Sequence, residues 1–504
     1  MGCGMLFNSL EFLIFFPLVT LLYFLIPGLK SRNFLLLAAS YYFYMQYKPE
    51  YALIMLISTF VDFWVALFMH RSRKPNMRKL WLGLSLCGNL GLLFYFKYFN
   101  FAVQSLSSGL SFLGISYEPG ALSLLLPVGI SFYTFQSLSY TVDVYRGDLE
   151  PEKDFFTFAL YVSFFPQLVA GPIERATQLL PQFRVEHSFD PDRAASGLKL
   201  MLWGFFKKVV IADRLAVVVD TVYNNSAAYD GPYYLIATVA FAFQIFCDFS
   251  GYSDIAIGSA RVIGFKLMTN FERPYLSKSV TEFWRRWHIS LSTWFRDYVY
   301  IPLGGSRKGY ARTLLNLFLI FLLSGLWHGA SWTFVIWGAL NGLAVVFEKI
   351  LGIGKRPKAG SKDGDGLKTR PPSIPLRLAA SFGGLIANGL TFAFILLTWV
   401  FFRARTVSEA FYMLPRFFTG FEKFDLSAFL SSRTILGLDF MEFFTALGAL
   451  VILEIIHRLQ NRISIGGVIN KLPSPARLLV YTLALTTVIW LAWTQSQSFI
   501  YFAF

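Results

Sequence analysis

The sequence predicts an all-α, polytopic membrane protein, and three observations carry that prediction. Of the 504 residues, 55% are hydrophobic and only 15% are charged, against about 25% charged in soluble domains. Apolar stretches at 10–26, 51–69, 80–96, 378–402 and 478–493 are each long enough, or nearly so, to cross a hydrocarbon core of ~30 Å. The net charge of +15 sits mostly in loops between those stretches, which is the pattern of basic segments retained on the cytoplasmic side and not of a nucleic-acid surface. Shorter apolar runs fill the intervals, so about eleven crossings are expected, with re-entrant and amphipathic helices between them.

Taken in order, the chain opens with hydrophobic helices joined by basic turns, and up to about Tyr117 it carries almost no polar residue at membrane depth. The first apolar stretch lacks a small-residue cleavage site and runs into a second span, so it reads as a retained helix. From Leu124 to Gly342 the texture changes, with Gly, Pro, Trp, Arg, Asp and His appearing among apolar neighbours. Polar groups at that depth are expensive and face cavities or one another, so this stretch should hold the function. The segments 126–146 and 164–175 read as turns or re-entrant pieces lining a cavity. Residues 354–375 are rich in Lys, Gly, Pro and Asp and read as a flexible basic cytoplasmic linker. Long apolar helices follow, and the whole of 1–504 reads as one membrane domain. Placing the three basic loops (71–79, 355–370 and 458–477) in the cytoplasm puts both chain ends outside, with Arg403 and Arg405 on the wrong side.

Three segments carry candidate chemistry. In 314–347 an apolar run is interrupted by Ser324-Gly325-Leu326-Trp327-His328-Gly329. Glycines on both sides of His328 suit a broken helix or a close backbone approach, and irregular backbone at membrane depth survives only where it lines a cavity or is buried. A helix-end histidine held by a neighbour is the plainer reading, and the glycine bracket favours function over it. In 279–300, Phe283, Trp287, Leu291, Trp294, Phe295 and Tyr298 share one face of a helix at 100° per residue. That pattern predicts an amphipathic helix at the cytoplasmic interface, with Arg285, Arg286 and Arg296 off the stripe and His288 at its edge. In 244–259, Asp248, Ser250, Tyr252, Ser253 and Asp254 lie among apolar residues. Their carboxylates need cations, and Arg261, Arg273, Arg285 or Arg286 are the expected partners.

Other chemistries do poorly. The chain has no Walker-type phosphate loop and no GxSxG elbow. Its three cysteines, Cys3, Cys87 and Cys247, form no CxxC pair, and His288 and His328 lack metal-ligand spacing, so no metal site is expected. A histidine general base is the simplest remaining scheme.

At these residues the sequence resembles the membrane-bound O-acyltransferase family, particularly its bacterial alginate O-acetylase branch. The resemblance rests on 126–135 (LPVGISFYTF), 165–173 (FPQLVAGPI), 248–254 (DFSGYSD), 283–288 (FWRRWH) with 295–305 (FRDYVYIPLGG), and 325–330 (GLWHGA). It implies helices around a central tunnel, with a catalytic histidine matching His328 and a second matching His288. It further implies a donor or acceptor site shaped by Asp248, Ser250, Tyr252, Asp254, Trp284, Arg285, Arg286, Trp287, Arg296 and Trp327. The implied donor is a cytoplasmic thioester, acetyl-CoA or an acyl carrier, used as substrate with no bound cofactor. The implied acceptor is an extracytoplasmic acetyltransferase partner or a polysaccharide such as alginate, at a bacterial inner membrane. D-alanyl transfer to teichoic acid is the nearest rival. A transporter or channel is the alternative of another class, although the chain lacks a transporter's repeated halves.

Overall fold

The computed structural model describes residues 4–503 apart from 118–119, 121, 123–125, 170, 354–373, 494, 496 and 498. Most of the expected linker at 354–375 therefore lies outside the described residues. Helices make up most of the rest. The one sheet among the described residues is a hairpin pairing Thr434–Ile435 with Leu438–Asp439 through Leu436 and Gly437, both at positive φ.

Among the described residues, seven helices are long and apolar enough to cross a membrane: Pro49–Arg71, Pro75–Phe112, Gly231–Ile263, Tyr310–His328, Trp332–Leu351, Gly383–Arg403 and Phe440–Gln460. Leu10–Leu25 and Ser474–Trp490 are shorter apolar helices. This is the polytopic helical class expected, although the seven long helices are fewer than the about eleven crossings counted from apolar runs. Separately, Ile130–Arg146 is a regular 17-residue helix buried along nearly all its length. Its segment had been expected to be a turn or a re-entrant piece. Lipid-facing surface shows as exposed apolar side chains, such as Leu10, Leu13, Leu18, Leu21 and Leu25 along the first helix. In water such a face would aggregate; against acyl chains it costs nothing.

The chain forms two compact units. The first comprises Met1–Tyr229, Ala240–Thr269 and Glu422–Phe504. Its N-terminal helices hold a buried polar cluster, contrary to the expectation of almost none before Tyr117. Asp62 accepts hydrogen bonds from Ser85 Oγ at 2.6 Å and from Asn89 Nδ2 at 2.9 Å, and Ser58 donates to Asn89 Oδ1 at 3.2 Å. Stranded in lipid, each of these groups would be costly; shared between the helices Pro49–Arg71 and Pro75–Leu93, they fix how the two meet. The visible sign was one aspartate within an otherwise apolar span.

The same unit contains a second buried cluster. Lys208 Nζ lies 2.8 Å from both Asp213 Oδ1 and Asp248 Oδ1, and Lys207 Nζ lies 2.7 Å from Asp254 Oδ2. The expected arginine partners of Asp248 and Asp254 are thus replaced by lysines of the segment 206–212, a stretch of wide helical turn.

The second unit, Asp230–Val239 with Asn270–Phe421, is built on a helical hairpin. Helix Tyr310–His328 ends at His328, and Ser331 caps the return helix Trp332–Leu351 by accepting the Thr333 N–H. The interruption seen in the sequence is therefore the tip of a hairpin and not a break within one crossing. The two helices touch backbone to backbone at Gly325 and Gly338, where a Cβ on Gly325 would stand 2.3 Å from the Phe334 carbonyl oxygen.

Candidate active site

The site belongs wholly to the second unit and begins with the failure of a helix to continue. The predicted amphipathic helix over 279–300 is two short helices, Val280–Arg286 and Ile289–Phe295, broken at Trp287-His288. His288 adopts φ 43° and ψ 55°, the left-handed region that non-glycine residues rarely enter. The first helix is started by Ser279, which accepts the Glu282 N–H at 3.1 Å. Glu348, at the far end of the hairpin's return helix, accepts the N–H groups of Val280 at 2.6 Å and Thr281 at 2.8 Å. A carboxylate over the orphan donors and positive dipole of a helix start is favourable, so this contact pins the segment to the hairpin. The apolar stripe survives the break, but it is packed in protein instead of lying on a membrane surface. Phe283, Trp287, Leu291, Trp294 and Phe295 are all buried.

The break turns His288 toward His328. Their ring centroids are 6.4 Å apart, and both residues are almost fully buried. Around them stands an aromatic enclosure. Trp327 lies 5.8 Å from His288, while Trp337 and Phe402 lie 5.1 and 5.3 Å from His328. Trp284 packs edge-on to Trp337 at 5.4 Å and donates its Nε1–H to Asn341 Oδ1 at 3.1 Å. Trp287 and Trp337 both meet Trp399. Such walls exclude water and fix the planes of the two imidazoles. Burial holds the His288 imidazole down at about 3, so it is neutral across the physiological range.

Beside this enclosure a cavity of about 460 Å³ is lined by Trp284, Arg285, Ile289, Ser292, Thr293 and Arg296. Its guanidinium groups suit an anionic, phosphate-bearing ligand, for which a planar fork is well shaped. Arg286 instead pairs with Glu282 at 2.6 Å, one helical turn away. Arg296 pairs with its neighbour Asp297 at 2.7 Å.

Of the residues singled out in the sequence, His288, His328, Trp284, Trp287 and Trp327 converge on one enclosure, with Arg285 and Arg296 at the adjoining cavity. Asp248, Ser250, Tyr252 and Asp254 fall in the first unit and are engaged there. Asp248 also accepts the Ile500 N–H at 2.7 Å, Ser250 accepts from Lys207 Nζ at 2.9 Å, and Tyr252 donates to Asn8 Oδ1 at 3.0 Å. Sequence reasoning missed Trp337, Trp399, Phe402, Asn341 and Asn270. The first three read as ordinary apolar helix residues, and nothing local marks the two asparagines.

Two buried imidazoles in an aromatic enclosure, with a cationic cavity alongside and helices long and apolar enough to cross a membrane, fit a membrane-embedded group-transfer enzyme. The family model described as "MBOAT, membrane-bound O-acyltransferase family" matches residues 151–353, which include His288, His328 and the cavity. The chain belongs to this family and is an O-acyltransferase. Among its relatives, the "Probable alginate O-acetylase" of Pseudomonas syringae pv. tomato is 39% identical over 477 residues, covering 94% of this chain and 86% of the relative. The peptidoglycan O-acetyltransferase of Helicobacter pylori is 33% identical, covering 81% and 78%. The teichoic acid D-alanyltransferase of Streptococcus thermophilus is 29% identical over 252 residues, covering 46% and 60%.

Proposed function

We propose that the chain moves an acetyl group from a cytoplasmic thioester, acetyl-CoA or an acyl carrier, to a hydroxyl on the other side of a bacterial inner membrane. The final acceptor is an exopolysaccharide of alginate type, reached directly or through an extracytoplasmic acetyltransferase partner. The observation that carries the reading is the buried His288–His328 pair, 6.4 Å between ring centroids, in a water-excluding aromatic enclosure. Relatives named for O-acetylation that align along most of the chain support acetyl over D-alanyl, whose named relative aligns over 46% of it.

In this reading His328 takes the proton of the acceptor hydroxyl as its oxygen attacks the thioester carbonyl carbon. The tetrahedral intermediate then expels the thiolate, which takes back from His328 the proton removed from the hydroxyl. A positioned base is worth ~10²–10⁴-fold. His288 positions or shares this proton transfer, and exclusion of water keeps the thioester from hydrolysis. Arg285 and Arg296 receive the donor's phosphate, and Trp284, Trp287 and Trp327 wall the acyl group. Asp248, Ser250, Tyr252 and Asp254 hold the first unit together, through Lys208, Lys207 and Asn8.

The test is transfer of label from acetyl-labelled CoA to an alginate-type acceptor by detergent-purified wild type and His328→Ala, the latter checked for an unchanged elution profile. Loss of label in an intact variant supports the reading. Equal transfer by the variant would make His328 structural and sink the mechanism. Label accepted only from D-alanyl carrier protein would install the rival substrate.

A further inference from the structure

Helix Ile289–Phe295 starts from His288 and has no side-chain cap of its own, because His288 makes none. Its first backbone N–H groups would be orphan donors in a dry site. Asn270 supplies both partners from a distant part of the chain. The Asn270 carbonyl oxygen accepts the Ile289 N–H at 2.9 Å, and Asn270 Oδ1 accepts the Ser290 N–H at 3.2 Å. Two residues on, the Glu272 N–H donates to the Arg286 carbonyl at 2.9 Å, so 270–272 runs along the break like a short splint. The left-handed backbone of His288 is strained and persists only where neighbours over-determine it. Asn270 is one such neighbour, bonded to His288 Nδ1 and to the two N–H groups that follow it.

The splint also settles the chemistry of the imidazole. A backbone N–H can only donate, so the Asn270 amide atom facing the Ser290 N–H must be its oxygen. That same Oδ1 lies 2.8 Å from Ser290 Oγ and 3.2 Å from His288 Nδ1. An amide oxygen only accepts, so a proton must sit on Nδ1. With the ring neutral, Nε2 then carries the lone pair.

We infer that Asn270 is a positioning residue for His288: its Oδ1 fixes the imidazole as the Nδ1–H tautomer and presents Nε2 as a proton acceptor. The role of that acceptor in transfer rests on the function proposed above; the tautomer does not. His288 is then built to take a proton at Nε2 or to orient a hydroxyl through it, and it cannot donate from Nε2 until it has received one. This separates the two histidines chemically, which their shared burial does not.

The test is nitrogen NMR of full-length protein labelled with ¹⁵N-histidine, in which only five histidines contribute. The His288 resonances are those lost in His288→Gln. Wild type should show a protonated Nδ1 and an unprotonated Nε2, and Asn270→Asp, which keeps every acceptor, should show the same. Asn270→Ala should give mixed tautomers, with kcat lowered about 10²-fold or more, as other wrong-tautomer lesions are, and little change in donor KM. A wild-type spectrum with the proton on Nε2 overturns the proposal even if Asn270→Ala fails to fold. So does a folded Asn270→Ala with an unchanged spectrum and kcat. If His288→Gln and His328→Ala both transfer normally, the functional reading fails instead, and the spectrum still decides the tautomer.

Discussion

A histidine in a left-handed backbone, buried and held near 3, is kept neutral by its surroundings and not by the solution. Its linkage to stability has a definite sign. The unfolded chain binds a proton at this position near pH 6.5 while the folded chain does not. The contribution is therefore fully present above about 6.5 and is lost as pH falls toward about 3. The His288 resonances should accordingly stay flat between about pH 5 and 8, the range over which an ordinary histidine titrates. A half-titration near 6.5 would mean that water reaches the ring. Any acid limb of kcat/KM in that range belongs to another group. His328 was legible in the sequence because glycines bracket it and apolar residues flank it. The role of Asn270 was not, because its contact with His288 spans 18 positions and belongs to no helical or strand period.

At the scale of elements, hydrophobic periodicity found the helices but not their ends. It ran one helix through 279–300, since a stripe of aromatic residues looks the same whether it faces lipid or is folded into a core. Hydrogen bonds from Asn270 to the Ile289 and Ser290 N–H groups hold the break at His288, while Glu348 pins the start of the first helix. The His328 hairpin shows the reverse case: Gly325, Gly338 and Gly329 are visible in the sequence, and their meaning follows from geometry. A Cβ on Gly325 would meet the Phe334 carbonyl oxygen at 2.3 Å, and one on Gly338 would meet the Phe321 carbonyl oxygen at 2.5 Å. Backbone oxygens cannot swing aside, so Gly325→Ala must spread the two helices that aim His328. It should cost about 1–3 kcal/mol and reduce transfer at least tenfold. Gly383→Ala, whose Cβ meets nothing within 4 Å, should leave both unchanged. Thermal inactivation of the two variants side by side checks this, and equal half-lives would show that the crossing is not tight.

At the scale of the whole molecule, composition and apolar run length made the all-α membrane class plain, because lipid admits so few alternatives. Which distant segments join was not legible, since helices that all face lipid or one another offer no pattern of pairing. The first unit makes the point. It is assembled from three separate stretches of chain, 1–229, 240–269 and 422–504, and one buried ammonium ties all three. Lys208 Nζ reaches Asp213 and Asp248 at 2.8 Å each and donates to the Gln497 carbonyl at 3.1 Å, while the Ile500 N–H closes the ring onto Asp248. Nearby, Arg214 holds Glu442 and donates to the Leu491 carbonyl, and the Trp493 N–H donates to the Val209 carbonyl at 2.9 Å. Buried charges are worth little when complete and cost much when broken, so the variants should rank by what each leaves behind. Lys208→Met strands two carboxylates and should cost about 3–5 kcal/mol. Asp248→Asn leaves the Lys208–Asp213 pair whole and keeps an oxygen for the Ile500 N–H, so roughly 1–2 kcal/mol is expected. Protease sensitivity of the 491–503 segment, followed with temperature in detergent, reads the order directly. If Asp248→Asn opened the segment at a lower temperature than Lys208→Met, the ammonium would not be the tie, and the hold on that segment would have to come from Phe499 and Tyr501 packed against Phe249.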